Sequence, residues 1–465
     1  MKRILLFFVL IVSTNVSAQN VTGDWYGVLK FMGQQLRLVF HIENTGDLYR
    51  STIDSPDQSA NAIPVASTKL EGSTLKLIVT LIGAEYEGTV SADSITGIFR
   101  QMGQTFPLNL SRKVAEKEKI IRPQEPVKPY PYHEEEVYFE NTDAAVKLAG
   151  TLTLPATGRR FPAVVLISGS GQQNRDEELM NHKPFLVLAD YLTRNGIAVL
   201  RYDDRGTAAS SGNFQTATSF DFSKDAEAAF NYLLSRKEID PRKIGLIGHS
   251  EGGMIAPMLA ARLKDVAYIV LLAGIGIPGD QLLLLQQELI WRASGIDEND
   301  IQKGKENNRN AFEIVKKSTT ISQLRTELTD YWERLIKEIP ENIPSKSFYD
   351  DTFVKTAVEQ MANSWMQYLL KYDPASDLEK VKCPVLAING EKDLQVPAAI
   401  NLEAIRKALY KGGNKQVNLV SLPGLNHLFQ ECETGLPAEY AKIEQTFSPV
   451  ALEEILKWLK ERNHK

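Results

Sequence analysis

The chain has 465 residues and a formal net charge of -5; 43% of the residues are hydrophobic and 24% are charged. A chain of this length is expected to fold into two or three globular domains. Acidic and basic residues are mixed along it, so no long basic run is present to hold phosphates, which excludes a nucleic acid partner.

Residues 1–18 predict a signal peptide. Lys2 and Arg3 form a basic start, and an apolar run at residues 4–12 is too short to span a bilayer. Small residues up to Ala18 suit cleavage at that point, and no later segment has the length of a stable membrane span. We therefore expect an exported protein, either periplasmic or secreted.

Residues 19–112 predict a small all-β barrel or sandwich domain. Alternating apolar and polar residues, separated by turn residues, indicate strands with one buried face. A charged and proline-rich stretch follows, so residues 113–133 are expected to form an extended linker. The predicted strands are residues 25–29, 36–42, 75–81, 86–90, 95–101 and 106–110.

Residues 134–465 predict an α/β catalytic domain. Continuous apolar runs such as Ala163 to Ile167 are typical of parallel strands buried on both faces, and amphipathic stretches between them predict helices that cover a mostly parallel sheet. From about residue 278 to 374 the strands are absent. The predicted strands of this domain are residues 137–140, 146–154, 163–167, 197–200, 244–247, 268–272, 385–388 and 417–422. Helical periodicity between the sixth and seventh of them predicts an inserted cap, with helices at residues 281–294, 301–317, 321–339 and 352–372.

The clearest catalytic pattern is G-x-S-x-G at Gly248-His249-Ser250-Glu251-Gly252. A predicted strand precedes it and a predicted helix follows it, as in a nucleophile elbow. A serine hydroxyl is a weak nucleophile that must stand exposed at a tight turn, and glycines without side chains let that turn close. We therefore predict Ser250 as the nucleophile and the Glu251 N–H, at the helix N-terminus, as an oxyanion donor.

A nucleophilic serine needs a histidine base and a carboxylate that orients the base. Among the six histidines, His427 follows the last predicted strand and is the predicted base. The acid is expected between nucleophile and base, in the loop at residues 389–393. Asp393 is the predicted acid, and Glu391 is the competing candidate. His249 adjoins the nucleophile and is not expected to reach round to it.

A second oxyanion donor is expected in the loop after the third strand of this domain. That loop begins Ser168-Gly169-Ser170-Gly171, and its small residues let the backbone approach a substrate. The N–H of Ser170 is the predicted donor, with that of Gly171 as the second choice.

These motifs resemble the α/β-hydrolase superfamily, and more narrowly its bacterial carboxylesterases. The resemblance lies in S-G-S-G-x-x-x-R-D from Ser168, R-Y-D-D-R-G from Arg201, G-H-S-x-G from Gly248 and N-G-x-x-D from Asn389. The chain departs from that group at Gln172, where proline is frequent, and lacks a further glycine where Ala208 or Ala209 stands. These departures concern loop shape, whereas the triad is complete.

The resemblance covers roughly residues 134–465 and implies a carboxylesterase that acts on short acyl esters. The predicted partner is therefore a small-molecule acyl ester. No cofactor or metal is predicted, because no His/Cys cluster offers a site. Asp203, Asp204 and Arg205 are interpreted as a structural charge network near the site.

Two other functions stay open. A serine peptidase of the prolyl-oligopeptidase or aminopeptidase type would need an anchor for a peptide amine, and cap carboxylates such as Glu288 and Glu313 are expected to face solvent instead. A non-catalytic protein could bind a ligand with its β-domain, although the complete triad argues against this. The two cysteines, Cys383 and Cys432, are expected to lie at opposite ends of the sheet, which disfavours a disulfide.

Overall fold

The structure is a computed structural model that describes residues 20–463 except 32–33, 47, 57–59, 102–103, 115, 117–121 and 340–350. The predicted signal peptide lies outside the described residues. The chain divides into two compact units, residues 1–119 and residues 120–465.

The first unit is an antiparallel sheet of ten strands, which confirms the predicted all-β domain. The strands are β1 (Gly23–Phe31), β2 (Gln34–Asn44), β3 (Tyr49–Ser55), β4 (Ala60–Pro64), β5 (Ser67–Glu71), β6 (Thr74–Val79), β7 (Ala84–Ser91), β8 (Ser94–Gln101), β9 (Gln104–Pro107) and β10 (Leu110–Ser111). Their order is β4-β3-β2-β1-β10-β8-β7-β6-β5, with β9 paired to β8. Alternating side chains enclose a core that includes Trp25, Phe40 and Tyr86.

Strands β3, β4 and β5 were not predicted from the sequence. The inward positions of β3 are Ser51, Ile53 and Ser55, so two of its buried side chains are polar and the hydrophobic alternation is lost. The prediction of one strand at residues 106–110 is also wrong, because two strands share this range: β9 ends at Pro107 and β10 begins at Leu110. Proline has no N–H for a ladder bond, which favours a strand end at that point.

The second unit contains a sheet of eight strands. They are β11 (His133–Asn141), β12 (Val146–Leu154), β13 (Phe161–Ile167), β14 (Ala198–Tyr202), β15 (Ile239–His249), β16 (Ile269–Leu272), β17 (Val385–Gly390) and β18 (Val417–Leu422). Their order is β11-β12-β14-β13-β15-β16-β17-β18. The pairs from β14 to β18 are parallel and those of β12 are antiparallel, so the mostly parallel sheet is confirmed. The carboxyl ends of β13, β15, β17 and β18 therefore meet at one edge of the sheet.

The helices of the second unit cover both faces of this sheet and form the cap. They are α1 (Pro184–Arg194), α2 (Ser219–Ser235), α3 (Glu251–Arg262), α4 (Gly279–Ala293), α5 (Glu298–Lys317), α6 (Ile321–Glu338), α7 (Asp351–Ala362), α8 (Ser364–Lys371), α9 (Ala375–Leu378), α10 (Ala398–Lys411), α11 (Pro437–Tyr440) and α12 (Pro449–Asn463). Helices α4 to α8 lie between β16 and β17, where the cap was predicted. Within the described residues, no helix is both long and apolar enough to cross a membrane.

The last predicted cap helix is two helices. Residues 352–372 were expected to form one helix, but α7 ends at Ala362 and α8 begins at Ser364. Asn363 between them has extended backbone, and its side chain accepts a hydrogen bond from the N–H of Met366 at 2.7 Å. Asparagine is a strong N-cap, so it starts a new helix where apolar periodicity alone predicts a continuous one.

The second half of the predicted linker is bound to the second unit. The buried Arg122 guanidinium donates to several backbone carbonyls, including that of Ile443. The Gln124 amide donates to the carbonyl of Phe447 at 2.7 Å and accepts from its N–H at 3.0 Å. Because these bonds satisfy backbone groups of the second unit, the chain is anchored to that unit at Arg122 and Gln124. The two cysteines are free thiols.

Candidate active site

Ser250 lies in the strained turn between β15 and α3. Its φ of 53° and ψ of -113° form a combination that a residue with a side chain rarely adopts. The turn closes only with glycine on both sides. A Cβ on Gly248 would lie 1.9 Å from the Gly252 carbonyl oxygen, and a Cβ on Gly252 would lie 2.1 Å from the Ile167 carbonyl oxygen. The turn therefore presents Ser250 at the carboxyl edge of the sheet.

Glu251 begins α3, so its N–H has no partner within the helix. Its side chain is buried, and Oε1 accepts hydrogen bonds from Ser219 Oγ at 2.5 Å and from Trp365 Nε1 at 2.8 Å. Burial raises the pKa of this carboxyl group. Because Trp365 belongs to α8, this contact joins the cap to the first turn of α3, next to Ser250.

His427 and Asp393 form a buried pair in the loops after β18 and β17. His427 Nδ1 lies 2.7 Å from Asp393 Oδ2. The other oxygen of Asp393 accepts hydrogen bonds from the N–H groups of Gln395 and Val396, each at 2.8 Å. These two donors fix the carboxylate, which in turn fixes the imidazole with its proton on Nδ1 and leaves Nε2 as an acceptor.

Glu391, the competing acid, is placed differently. Its side chain is exposed, and Ser421 Oγ donates a long hydrogen bond of 3.4 Å to its Oε1. The geometry therefore brings Asp393, and not Glu391, to the imidazole.

A cavity of about 120 Å³ lies over Ser250, and His427 lines the same cavity. Within the described residues, no hydrogen bond joins the Ser250 hydroxyl to the His427 ring. The cap side of the cavity consists of Leu282, Leu283 and Gln286 from α4 and of Trp365 and Leu369 from α8. Among the described residues, no group of His, Cys, Asp and Glu side chains could hold a metal ion.

The loop after β13 supplies the second oxyanion donor candidates. The Gly169 N–H donates to Glu177 Oε1 at 2.6 Å and is therefore occupied. No hydrogen bond between described residues uses the N–H of Ser170 or of Gly171. A Cβ on Gly169 would lie 3.3 Å from Ser250 Cβ, so this loop packs closely against the serine. The N–H of Ser170 and that of Gly171 are thus free near the cavity.

Two of the sequence motifs pair with each other. Arg175 Nη2 lies 2.8 Å from Asp203 Oδ2, and Arg201 Nε lies 2.8 Å from Asp176 Oδ1. Each ion pair joins the loop after β13 to the end of β14. None of these four residues lines the cavity, so the charge network shapes the loop without touching the space over Ser250.

The buried Asp204 side chain stabilises the loop after β13 through hydrogen bonds. It accepts hydrogen bonds from Ser168 Oγ and from the Gln173 N–H, each at 2.9 Å. Burial raises the pKa of this carboxyl group to about 8, against the opposing effect of these two donors. The folded chain therefore holds a proton on Asp204 at a pH where the unfolded chain has released it.

This raised pKa predicts a pH-dependent stability. Since the folded pKa lies above the unfolded one, the contribution of Asp204 is complete at low pH and is lost as the pH rises toward about 8. Asparagine resembles the protonated carboxyl group, so Asp204→Asn is expected to flatten the fall in the free energy of unfolding between about pH 5 and pH 8. Urea unfolding of both proteins across that range measures the two slopes. Equal slopes would contradict this assignment.

The sequence analysis missed a second buried pair. His249 Nδ1 lies 2.8 Å from Glu177 Oε1, and His249 Nε2 lies 2.9 Å from the His427 carbonyl oxygen. The position of His249 inside G-x-S-x-G was a signal that the sequence offered. Glu177 had no comparable signal beyond its place after the R-D pair, because its partners are distant along the chain.

Comparison with known proteins gives one family and several relatives. Residues 162–433, more than half of the chain, match a family model described as the alpha/beta hydrolase fold. The esterase EstD of Thermotoga maritima is 29% identical over 333 residues, which cover 69% of this chain and 68% of that protein. The human acyl-coenzyme A thioesterase 1 is 29% identical over 132 residues, which cover 28% of each protein. Among solved structures, the alpha/beta hydrolase GrgF from Penicillium sp. sh18 has a TM-score of 0.44 and 17% identity, covering 71% of this chain and 99% of that one.

Proposed function

Because this chain belongs to the α/β-hydrolase fold family, we propose that it is a serine carboxylesterase that hydrolyses acyl esters through an acyl-enzyme on Ser250. The observation that carries the proposal is the cavity shared by Ser250 and His427, with His427 held 2.7 Å from Asp393. Similarity to an esterase over 69% of the chain supports the same class of reaction.

The acylation step uses the three residues in distinct roles. His427 Nε2 takes the hydroxyl proton as Ser250 Oγ attacks the ester carbonyl carbon. The Asp393 carboxylate stabilises the imidazolium that results. As the tetrahedral intermediate collapses, the bond to the alcohol oxygen breaks, and His427 returns the proton to the leaving alcohol. Ser250 then carries the acyl group.

The developing oxyanion needs N–H donors that are already in place. The Glu251 N–H, at the N-terminus of α3, is the first donor, and the dipole of that helix favours negative charge there. The Ser170 N–H is the second donor, with Gly171 as its neighbour. Water that is activated by His427 attacks the acyl-enzyme and releases the acid, and the same donors hold the second tetrahedral intermediate.

The cavity favours a small acyl group. Its volume of about 120 Å³ is well below the ~300–1,000 Å³ of pockets that hold drug-sized ligands. Side chains such as Leu282, Leu369 and Leu428 make much of its wall apolar. An apolar wall binds an acyl chain by burying its methylene groups, until the chain outgrows the space.

A series of p-nitrophenyl esters tests this proposal. We expect kcat/KM to be highest for acetate to butyrate and to fall at least tenfold by decanoate, because a longer chain has to displace cap side chains. Release of p-nitrophenol, followed by absorbance, gives the profile. A flat profile up to decanoate would contradict the size argument, and no turnover of any ester would contradict esterase activity.

Two further substrates separate the alternatives. Aminoacyl p-nitroanilides test the peptidase hypothesis, and turnover of anilides alone would replace the esterase proposal. Acyl-coenzyme A thioesters are a useful third substrate because a human relative over part of the chain is named as a thioesterase. Export of the protein stays a prediction from residues 1–18.

A further inference from the structure

Four residues that line the cavity over Ser250 are joined by a continuous series of hydrogen bonds. The Gly169 N–H donates to Glu177 Oε1, His249 Nδ1 shares a hydrogen bond with the same oxygen, and His249 Nε2 donates to the His427 carbonyl oxygen. The donor–acceptor distances are 2.6, 2.8 and 2.9 Å. This series of hydrogen bonds therefore connects the oxyanion loop, the elbow and the base loop, which follow three different strands.

The position of one proton on His249 follows from its hydrogen-bond acceptor. The His427 carbonyl oxygen can only accept, so His249 Nε2 carries a proton. The other ring nitrogen, Nδ1, lies 2.8 Å from Glu177 Oε1, so each nitrogen of His249 has a hydrogen-bond partner. Burial alone would lower the pKa of His249, but the charge and hydrogen bond of Glu177 outweigh burial and raise it. A paired and hydrogen-bonded arrangement is what a buried charge requires.

Glu177 and His249 lie next to Ser250 and His427, but neither of the two takes part in the proposed reaction. Glu177 and His249 are 4% and 6% exposed, and the rings of His249 and His427 have centroids 4.8 Å apart. Both nitrogens of His249 are occupied, so this ring cannot take the Ser250 proton. A Cβ on Gly169 would lie 3.3 Å from Ser250 Cβ and 3.5 Å from His249 Nδ1, so Gly169 packs against both residues. The pair thus contacts the loop after β13, the turn at Ser250 and the loop that carries His427.

We propose that Glu177 and His249 are positioning residues, which fix the Ser170 N–H and His427 relative to Ser250. Glu177 holds the Gly169 N–H, which sets the direction of the following amide, and His249 holds the backbone of the base through its carbonyl oxygen. Asp393 fixes the imidazole of His427, whereas His249 fixes its main chain. This inference rests on the proposed function, because it assigns these two residues to the same reaction.

Two substitutions of His249 separate its two hydrogen bonds. His249→Gln keeps a donor near the position of Nε2, for the His427 carbonyl, and loses the contact with Glu177. His249→Asn keeps a donor near the position of Nδ1, for Glu177, and loses the contact with His427. A misplacement of about 1 Å can cost about 100-fold in rate, so we expect each variant to lower kcat by about 10- to 100-fold with KM changed less than threefold.

Glu177→Gln tests the other partner, and Glu178→Gln is its matched control. Glu178 is the next residue and is exposed, so its substitution removes the same charge without touching the site. We expect Glu177→Gln to lower kcat about 10- to 100-fold and Glu178→Gln to leave it within twofold. In the double variant Glu177→Gln/His249→Gln the losses should not multiply, since the two residues act as one unit.

The measurements are kcat and KM for p-nitrophenyl butyrate, the rate of labelling by a fluorophosphonate, and thermal unfolding of each variant. Variants that lose only thermal stability while the folded protein keeps wild-type kcat would overturn the proposal, as would fully multiplicative losses in the double variant. If a Glu177 variant does not fold, the two His249 variants decide the question alone. A wild-type protein that takes no label would instead overturn the proposed function.

Discussion

Ser250→Ala is expected to abolish ester hydrolysis, with kcat reduced by about 10⁶-fold. The hydroxyl is the group that forms the acyl-enzyme, and no other serine lies in a strained turn at this cavity among the described residues. Alanine keeps the Cβ of serine, so the strain at φ 53° is unchanged and the fold should be retained. Burst-phase and steady-state kinetics with p-nitrophenyl butyrate measure the loss.

A fluorophosphonate probe gives the matching readout without a substrate. The wild-type protein should be labelled at Ser250, and Ser250→Ala should take no label. Ser235→Ala is the control, because Ser235 lies exposed at the end of α2, where its hydroxyl donates to the Tyr232 carbonyl oxygen. Labelling that persists in Ser250→Ala would assign the nucleophile to another residue.

Asp393→Asn is expected to lower kcat by about 10⁴-fold while the protein stays folded. The N–H groups of Gln395 and Val396 both donate to Oδ1, so they would hold the oxygen of the new amide in that position. The amide nitrogen would then face His427 Nδ1 as a donor. His427 would have to carry its proton on Nε2, and this tautomer cannot accept a proton from Ser250.

Glu391→Gln is the matched control for the acid. It removes one carboxylate two residues away, from an exposed side chain that the structure places apart from the imidazole. We expect kcat within twofold of the wild type. The reverse result, a large loss in Glu391→Gln and a small one in Asp393→Asn, would assign the acid to Glu391.

The prediction from sequence worked where neighbours along the chain carry the information. Strands β13, β14, β16 and β17 contain continuous apolar runs, and the elbow at residues 248–252 is a local pattern whose glycines are required by contacts below 2.2 Å. The prediction failed where the buried side chains of a strand are polar or where a single N-cap residue interrupts a periodic apolar pattern. Buried serines hide β3, and one N-cap at Asn363 divides a helix that apolar spacing predicts as continuous.

The sequence by itself determined the α/β fold class, because apolar runs alternate with helical periodicity along residues 134–465. It also determined the candidates Ser250 and His427, because each lies in a short motif that follows a predicted strand. Only the tertiary structure showed that Asp393, and not Glu391, contacts the His427 imidazole. It also showed two contacts between distant segments: Trp365 with Glu251, 114 residues apart, and His249 with Glu177, 72 residues apart. The physical reason is that hydrogen bonds between distant segments depend on how strands align at one edge of the sheet. No spacing within a motif records that alignment.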